Sequence, residues 1–193
     1  VGELLAYRLS DSESQLIDDC FTFLASKALE QPQVLVHRDY HSRNLLYREG
    51  EAPGVIDFQD AVWGPITYDL VSLLRDCYIR WSPERVQQWV LGYGNMAYEL
   101  GLLPTTSSEQ FLQWFDTMGL QRHIKVLGIF ARLSLRDGKD RYLNDLPLVI
   151  RYVLEVANQH TETQAFARWF ETQLLPSIKT QSWYSDYSIA GDH

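Results

Sequence analysis

Apolar positions recur near helical spacing through residues 12 to 29, where Leu16, Ile17, Cys20, Phe21, Phe23, Leu24 and Leu29 gather toward one side of a predicted amphipathic helix. Ser12 and Ser14 are its candidate caps. Gln31-Pro32 breaks the pattern. Val34-Leu35-Val36 is a short β-branched run, followed at once by the polar string His37-Arg38-Asp39-Tyr40-His41-Ser42-Arg43-Asn44. Leu45-Leu46-Tyr47 and Val55-Ile56-Asp57-Phe58 then flank a stretch from Arg48 to Gly54 that holds two Gly and a Pro, the pattern of a β-hairpin.

From Thr67 onward the spacing is helical. Leu70, Val71, Leu73, Leu74, Cys77 and Tyr78 are predicted to line one face of a first helix. Ser82-Pro83 opens the next, with a cap and a proline at the first helical position, and Gly101 closes it. Ser107 with Gln110, and Thr161 with Gln164, have capping-box spacing. Between them lie the apolar stretch from Ile124 to Leu135 and a helix after Asn144-Asp145 that buries Val149, Tyr152, Val153 and Val156. The tail from Ser177 reads as aromatic and irregular. The fold class expected is mainly α with a small β-hairpin. A single unit over residues 1–193 is expected, with the polar loop and hairpin at 34–58 and the helical remainder at 67–176.

Composition narrows the picture. The 193 residues include 46% apolar side chains and only 22% charged ones, which excludes disorder and supports a core. A net charge of −8 repels phosphate backbones, so a nucleic-acid partner is not expected. The longest apolar runs fall far short of the roughly 20 residues of a membrane span. Cys20 and Cys77 form no CxxC pair and read as core thiols of a reducing compartment, so a cytoplasmic location is expected. No cationic stretch followed by an apolar one leads the chain, as a signal peptide requires. Val1 stands where an initiator Met would, and a piece of a longer protein is expected.

The hairpin gives the polar string its chemistry. Asn44 precedes the first strand and Asp57 ends the second, 13 residues later, so the two meet at the open end of an antiparallel pair. An amide oxygen and a carboxylate placed together suit one Mg²⁺ that takes the rest of its shell from water and substrate phosphates. Asp39, in the same loop, stands beside them as a carboxylate free to accept a proton.

His37-x-Asp39-x-x-x-x-Asn44, followed by an apolar hairpin ending in Asp57-Phe58, resembles the catalytic loop and metal-binding Asp of the protein-kinase-like fold. Gln59 replaces the usual Gly after Asp57-Phe58, and His41 replaces the usual Lys two residues after Asp39. Asp39-x-His41, with Gly64-Pro65-Ile66-Thr67-Tyr68-Asp69-Leu70, is similar to the aminoglycoside phosphotransferase and choline kinase branch, whose acceptors are small molecules. At finer grain, Val34 to Tyr40, Gly54 to Ala61, Tyr68-Asp69, Leu120 to Arg132 and Arg136 to Lys139 resemble the bacterial kinases that phosphorylate the anomeric hydroxyl of N-acetylmuramate and N-acetylglucosamine in cell-wall recycling.

The resemblance implies ATP as co-substrate with Mg²⁺, an amino-sugar hydroxyl as acceptor, and the C-terminal lobe of that fold. The partner it implies is the N-terminal nucleotide lobe of the same protein, since only 36 residues precede His37. Asp39 is the catalytic base it implies, Asn44 and Asp57 the metal ligands, and His37 and Asp69 the braces of the loop. His41, Arg43, Asp60, Trp63, Arg122 and Arg132 are candidate phosphate or acceptor contacts, and Leu46 the candidate floor under the nucleotide base. Three alternatives stand beside this reading. They are an aminoglycoside or choline-type kinase, a metallohydrolase built on the alternating His37, Asp39 and His41, and a non-catalytic lobe that only binds.

Overall fold

The computed structural model describes residues 2–192. In chain order it contains α1 (Gly2–Leu5), α2 (Asp11–Leu29), β1 (Gln33–Val36), β2 (Leu45–Leu46), β3 (Gly54–Val55), β4 (Val62–Pro65) and α3 (Tyr68–Leu74). Then follow α4 (Pro83–Glu99), α5 (Ser108–Asp137), α6 (Leu146–Gln159), α7 (Gln164–Trp169) and α8 (Leu175–Lys179). The protein is thus mainly α with small antiparallel ribbons, as the pattern predicts. It divides into two compact units, one of Lys27–Gly119 and one of the residues up to Ser26 with those from Leu120 onward.

In the unit of Lys27–Gly119 the expected hairpin is present, with Leu45 opposite Val55 and Leu46 opposite Gly54. A second antiparallel ribbon, which the hydrophobic pattern does not predict, pairs β1 with β4 from Gln33↔Pro65 to Val36↔Val62. Gly64 eases that pairing: a Cβ there would come 3.2 Å from Val36 Cγ2 and crowd it. The core of this unit forms where α3, α4 and the first half of α5 meet, on Val71, Val90, Phe115 and Trp114.

The caps explain the helix starts. Ser82 Oγ accepts the N–H of Arg85 with Pro83 in the first turn, and Ser107 Oγ accepts the N–H of Gln110 at 3.1 Å. Gly101 takes φ +70 just beyond α4, where a side chain would be strained. Helix α3 is shorter than the pattern predicts: it stops at Leu74, so Cys77 and Tyr78 lie beyond it.

The second unit is organised by α6, whose residues from Leu146 to Ile150 are all buried, and by Phe166, Trp169, Phe170 and Leu174. Three expectations need correction here and along α2. Ser10, rather than Ser12 or Ser14, caps α2, in a reciprocal box: Ser10 N–H donates to Glu13 at 2.8 Å and Glu13 N–H to Ser10 Oγ at 3.4 Å. Thr161 and Gln164 form no such box, because α7 starts after Thr163 and the Gln164 amide instead donates to Asn158 O. Phe21 and Leu29, predicted on the buried side of α2, are 45% and 81% exposed, whereas Cys20 and Leu24 are buried. Burial pushes the Cys20 thiol up to about 11. Among the described residues no helix is long and apolar enough to cross a membrane.

Candidate active site

The polar loop between β1 and β2 is fixed from both flanks, and each fixing contact involves a residue singled out in the sequence. Asp69 lies in the first turn of α3, and its carboxylate accepts two successive backbone N–H groups, from His37 at 2.6 Å and from Arg38 at 2.9 Å. Arg38 sits at φ +78, a left-handed conformation that costs a non-Gly residue on the order of 1–3 kcal/mol. Two charge-assisted bonds at that point offset the cost. The helix that carries Asp69 is itself anchored: the buried Gln31 side chain accepts both the N–H and the hydroxyl of Thr67, at 3.3 and 2.7 Å.

His37 ties the loop to the hairpin. Its Nε2 lies 2.9 Å from Ile56 O, and its Nδ1 accepts the Asp39 N–H at 3.3 Å. This bonding pattern assigns the ring proton to Nε2. Both ring nitrogens are thereby taken up, so His37 has no lone pair for a metal and braces the loop. The His37, Asp39 and His41 ligand set imagined for a metallohydrolase is not formed, and among the described residues no group of three or more His, Cys, Asp or Glu gathers as a metal cage.

The hairpin sets Asn44 beside the strand end that leads into Asp57. The Ile56 N–H donates to Asn44 O at 3.1 Å, which seats Asn44 across from the residue before Asp57. The Asn44 amide donates to Asp39 O at 2.8 Å, so the amide oxygen is turned away from that bond. Asp57, at φ +66, is exposed, and one of its carboxylate oxygens accepts the Gln59 amide at 2.8 Å. An amide oxygen and an exposed carboxylate are the hard donors that a phosphate-bound Mg²⁺ accepts. Asp39 holds its place through its backbone, since its N–H and C=O are both engaged, and the residue is exposed.

The remaining candidates fall in several places. Ser42–Asn44 form a single 3₁₀ turn. The guanidinium of Arg43 lies 3.4 Å from the centroid of the Tyr78 ring, and the His41 ring meets the same tyrosine edge-on at 6.3 Å. Burial pushes the Tyr78 hydroxyl well up from its ordinary value. Asp60 is exposed in the turn before β4, and Trp63 is 75% exposed, opposite Leu35, which is 68% exposed. Leu46 is likewise exposed on β2. Arg122 and Arg132 lie on the part of α5 that belongs to the other unit, the first half-buried and the second exposed.

Around this loop, Trp81 and Trp89 are not singled out in the sequence, and Tyr78 reads there only as part of a helix face. Gln31 reads there only as a helix breaker. Trp81 does stand directly before the Ser82-Pro83 cap, a signal that an aromatic closes the segment leading from α3.

Residues 2–105 match the family model described as the phosphotransferase enzyme family, and the chain belongs to that family. Family membership carries the kinase-like fold. The chain is also similar to proteins named N-acetylmuramate/N-acetylglucosamine kinase. It is 45% identical to that of Neisseria meningitidis serogroup B over 162 residues, 84% of this chain and 48% of the relative. It is 43% identical to that of Pseudomonas putida over the same shares, and 50% identical to that of Pseudomonas aeruginosa over 130 residues, 67% of this chain and 38% of the relative. The chain thus spans about half the length of the curated relatives it matches.

Proposed function

We propose that the whole protein to which this chain belongs transfers the γ-phosphoryl group of ATP to the anomeric hydroxyl of N-acetylmuramate or N-acetylglucosamine, in the cytoplasm and in the service of cell-wall recycling. The observation that carries the proposal is the Asp39, Asn44 and Asp57 loop, held as one piece by His37 and Asp69. The names of the relatives support the choice of acceptor.

In this reading Asp39 orients the acceptor hydroxyl and takes its proton as the oxygen bonds to the γ-phosphorus; the bond to the β-phosphate oxygen breaks and ADP leaves. Asn44 and Asp57 hold Mg²⁺, which neutralises charge on the nucleotide phosphates. The residues of the chain then act mainly by position, which is why so many of their bonds fix the backbone. His41, Arg43, Asp60 and Trp63 are assigned to phosphate or acceptor contacts. Leu46 is assigned to the nucleotide base, and its exposure on β2 leaves an apolar surface for that use. The remaining half of the protein supplies the N-terminal nucleotide lobe, so residues 1–193 alone bind nucleotide poorly.

The test is transfer of γ-phosphate from ATP to N-acetylmuramate and N-acetylglucosamine by the complete protein, with Asp39→Asn as control. Sugar 1-phosphate that vanishes in the control supports the reading. Turnover of aminoglycosides or choline instead of these sugars keeps the phosphotransferase and discards the acceptor, and transfer to nothing leaves a binding lobe. Tight nucleotide binding by residues 1–193 in titration calorimetry would overturn the need for the other half.

A further inference from the structure

An open hollow of about 400 Å³ adjoins the loop, with Ser42 on one wall and Leu70, Leu73, Ile79, Trp81 and Trp89 forming most of the rest. Its size lies within the range of small-ligand sites. The two indoles meet edge to face, with centroids 5.4 Å apart, and remain 36% and 41% exposed. Asp76, which is only 7% exposed, contributes the one carboxylate of the lining.

We infer that this hollow is the subsite that receives the N-acyl group of the acceptor sugar. The inference rests on the function proposed above and specifies which part of the acceptor is read, and by which residues. Ser42 is three residues from Asp39, so their Cα atoms are at most about 11 Å apart even in a straight chain. The backbone bond from His41 N–H to Asp39 O makes the path shorter. A ligand seated against Ser42 therefore lies beside the loop that carries Asp39.

The lining decides which end enters. Free hydroxyls placed against leucine and tryptophan would lose water without finding partners, at about 1–3 kcal/mol each. The acetamido methyl group loses nothing by that burial, and the C–H face of a pyranose packs on an indole. The amide N–H suits Asp76, because a carboxylate offers about four lone-pair directions and accepts more than one donor at a time. A carboxylate on the acceptor, such as a lactyl ether, is repelled by Asp76 and points out of the hollow. The arrangement accounts for recognition of an N-acylated sugar with or without an acidic substituent.

The complete protein tests this with N-acetylglucosamine, glucosamine and glucose as acceptors. Wild type, Trp81→Ala and Trp89→Ala are compared, each first shown to melt cooperatively. In the wild type the KM for N-acetylglucosamine is expected at least about tenfold below that for glucose, the scale of discrimination that a small apolar group provides. Each tryptophan variant is expected to shrink that ratio at least threefold, with the KM for N-acetylglucosamine rising. Sugar-dependent change of tryptophan fluorescence is expected in the wild type and is lost in the double variant. A preserved KM ratio in both variants overturns the inference alone, since the sugars are still phosphorylated. So does strong shielding of Trp81 and Trp89 from acrylamide in the sugar-free complete protein, which would mean that the protein itself fills the hollow. Failure of the wild type to phosphorylate any of the sugars overturns both the inference and the acceptor on which it rests.

Discussion

The Asp69 carboxylate holds Arg38 in a left-handed backbone conformation by accepting its N–H at 2.9 Å while the other oxygen accepts the N–H of His37. One side chain at the start of a helix thus sets the direction in which the loop leaves β1. Removing it frees a strained residue immediately before Asp39. Asp69→Ala is expected to lower stability by about 2–4 kcal/mol, the sum of two charge-assisted bonds at a half-buried site. Activity of the complete protein should fall further, on the order of 10²-fold, because a loop displaced by about 1 Å loses catalytic alignment. Asp69→Asn keeps one acceptor oxygen and should fall between. Urea unfolding with parallel kinetics decides it: a variant that is destabilised yet fully active would show that the brace does not position the loop.

Asp39 should behave in the opposite way. Its backbone groups carry its structural contacts and its residue is exposed, so Asp39→Asn leaves those bonds intact. The expected change in stability is within about 0.5 kcal/mol. In the reaction proposed above, losing this carboxylate as proton acceptor should cost about 10²–10⁴ in kcat. Thermal melts of wild type and variant should overlay while turnover collapses. A large drop in melting temperature would assign Asp39 a structural role instead.

A third expectation concerns a residue far from the chemistry in sequence. Gln31 accepts the Thr67 N–H and hydroxyl, and donates to Trp114 O at 3.5 Å, joining the segment before β1 to the start of α3 and to α5. Gln31→Leu fits the space but leaves the Thr67 N–H without its acceptor and the Thr67 hydroxyl with only the longer bond to Trp114 O at 3.5 Å, at about 2–4 kcal/mol in total. Thr67→Val removes only the hydroxyl and should cost about 1 kcal/mol. With Gln31 already replaced, Thr67→Val should cost less, since the hydroxyl has by then lost its short bond to Gln31 and keeps only the one to Trp114 O. A double-mutant cycle measures this, and strict additivity of the two substitutions would rule out the coupling.

The parts of the site that were legible in the sequence are those whose contacts run along the chain. The bond from the Asn44 amide to Asp39 O lies within one loop, and the bond from Ile56 N–H to Asn44 O within one hairpin. Asp69 was legible as a brace through the resemblance of its surroundings. The Gln31 network was not, because glutamine has no pattern of its own and its partners are 36 and 83 residues away. The β1 to β4 pairing was hidden for a related reason: Val62-Trp63-Gly64-Pro65 contains two strand-disfavouring residues, and the close approach of Val36 to Gly64 is a contact across 28 residues of chain. Helix α3 ends at Leu74 because Arg75 leaves helical geometry at φ −125, ψ 51, a backbone change that periodicity does not carry; Tyr78 then lies against Arg43.

Acid stability offers a last expectation, set in the unit of residues up to Ser26 and from Leu120 onward. Glu13 accepts the Ser10 N–H, the Tyr7 hydroxyl, the Ser10 hydroxyl and, at 2.9 Å, the Trp169 indole N–H. All four donors favour the ionised form and hold its carboxyl down to about 2, against an ordinary value of 4.5. In the unfolded chain the group titrates near that ordinary value. The folded state therefore gains from Glu13 throughout the range above about pH 4.5. Between 4.5 and 2 the unfolded chain binds a proton that the folded one does not, so stability falls as pH is lowered, and the contribution is gone below about 2. Glu13→Gln cannot titrate and sets an amide among donors. Its melting temperature should lie below that of the wild type at pH 7, and the gap should close steadily as pH falls from 4.5 toward 2. Other carboxylates titrate in the same window, but they do so in both proteins and cancel from the difference. A gap of constant size across that window would mean that the four donors do not act on the charge of Glu13, and that its contribution is packing alone.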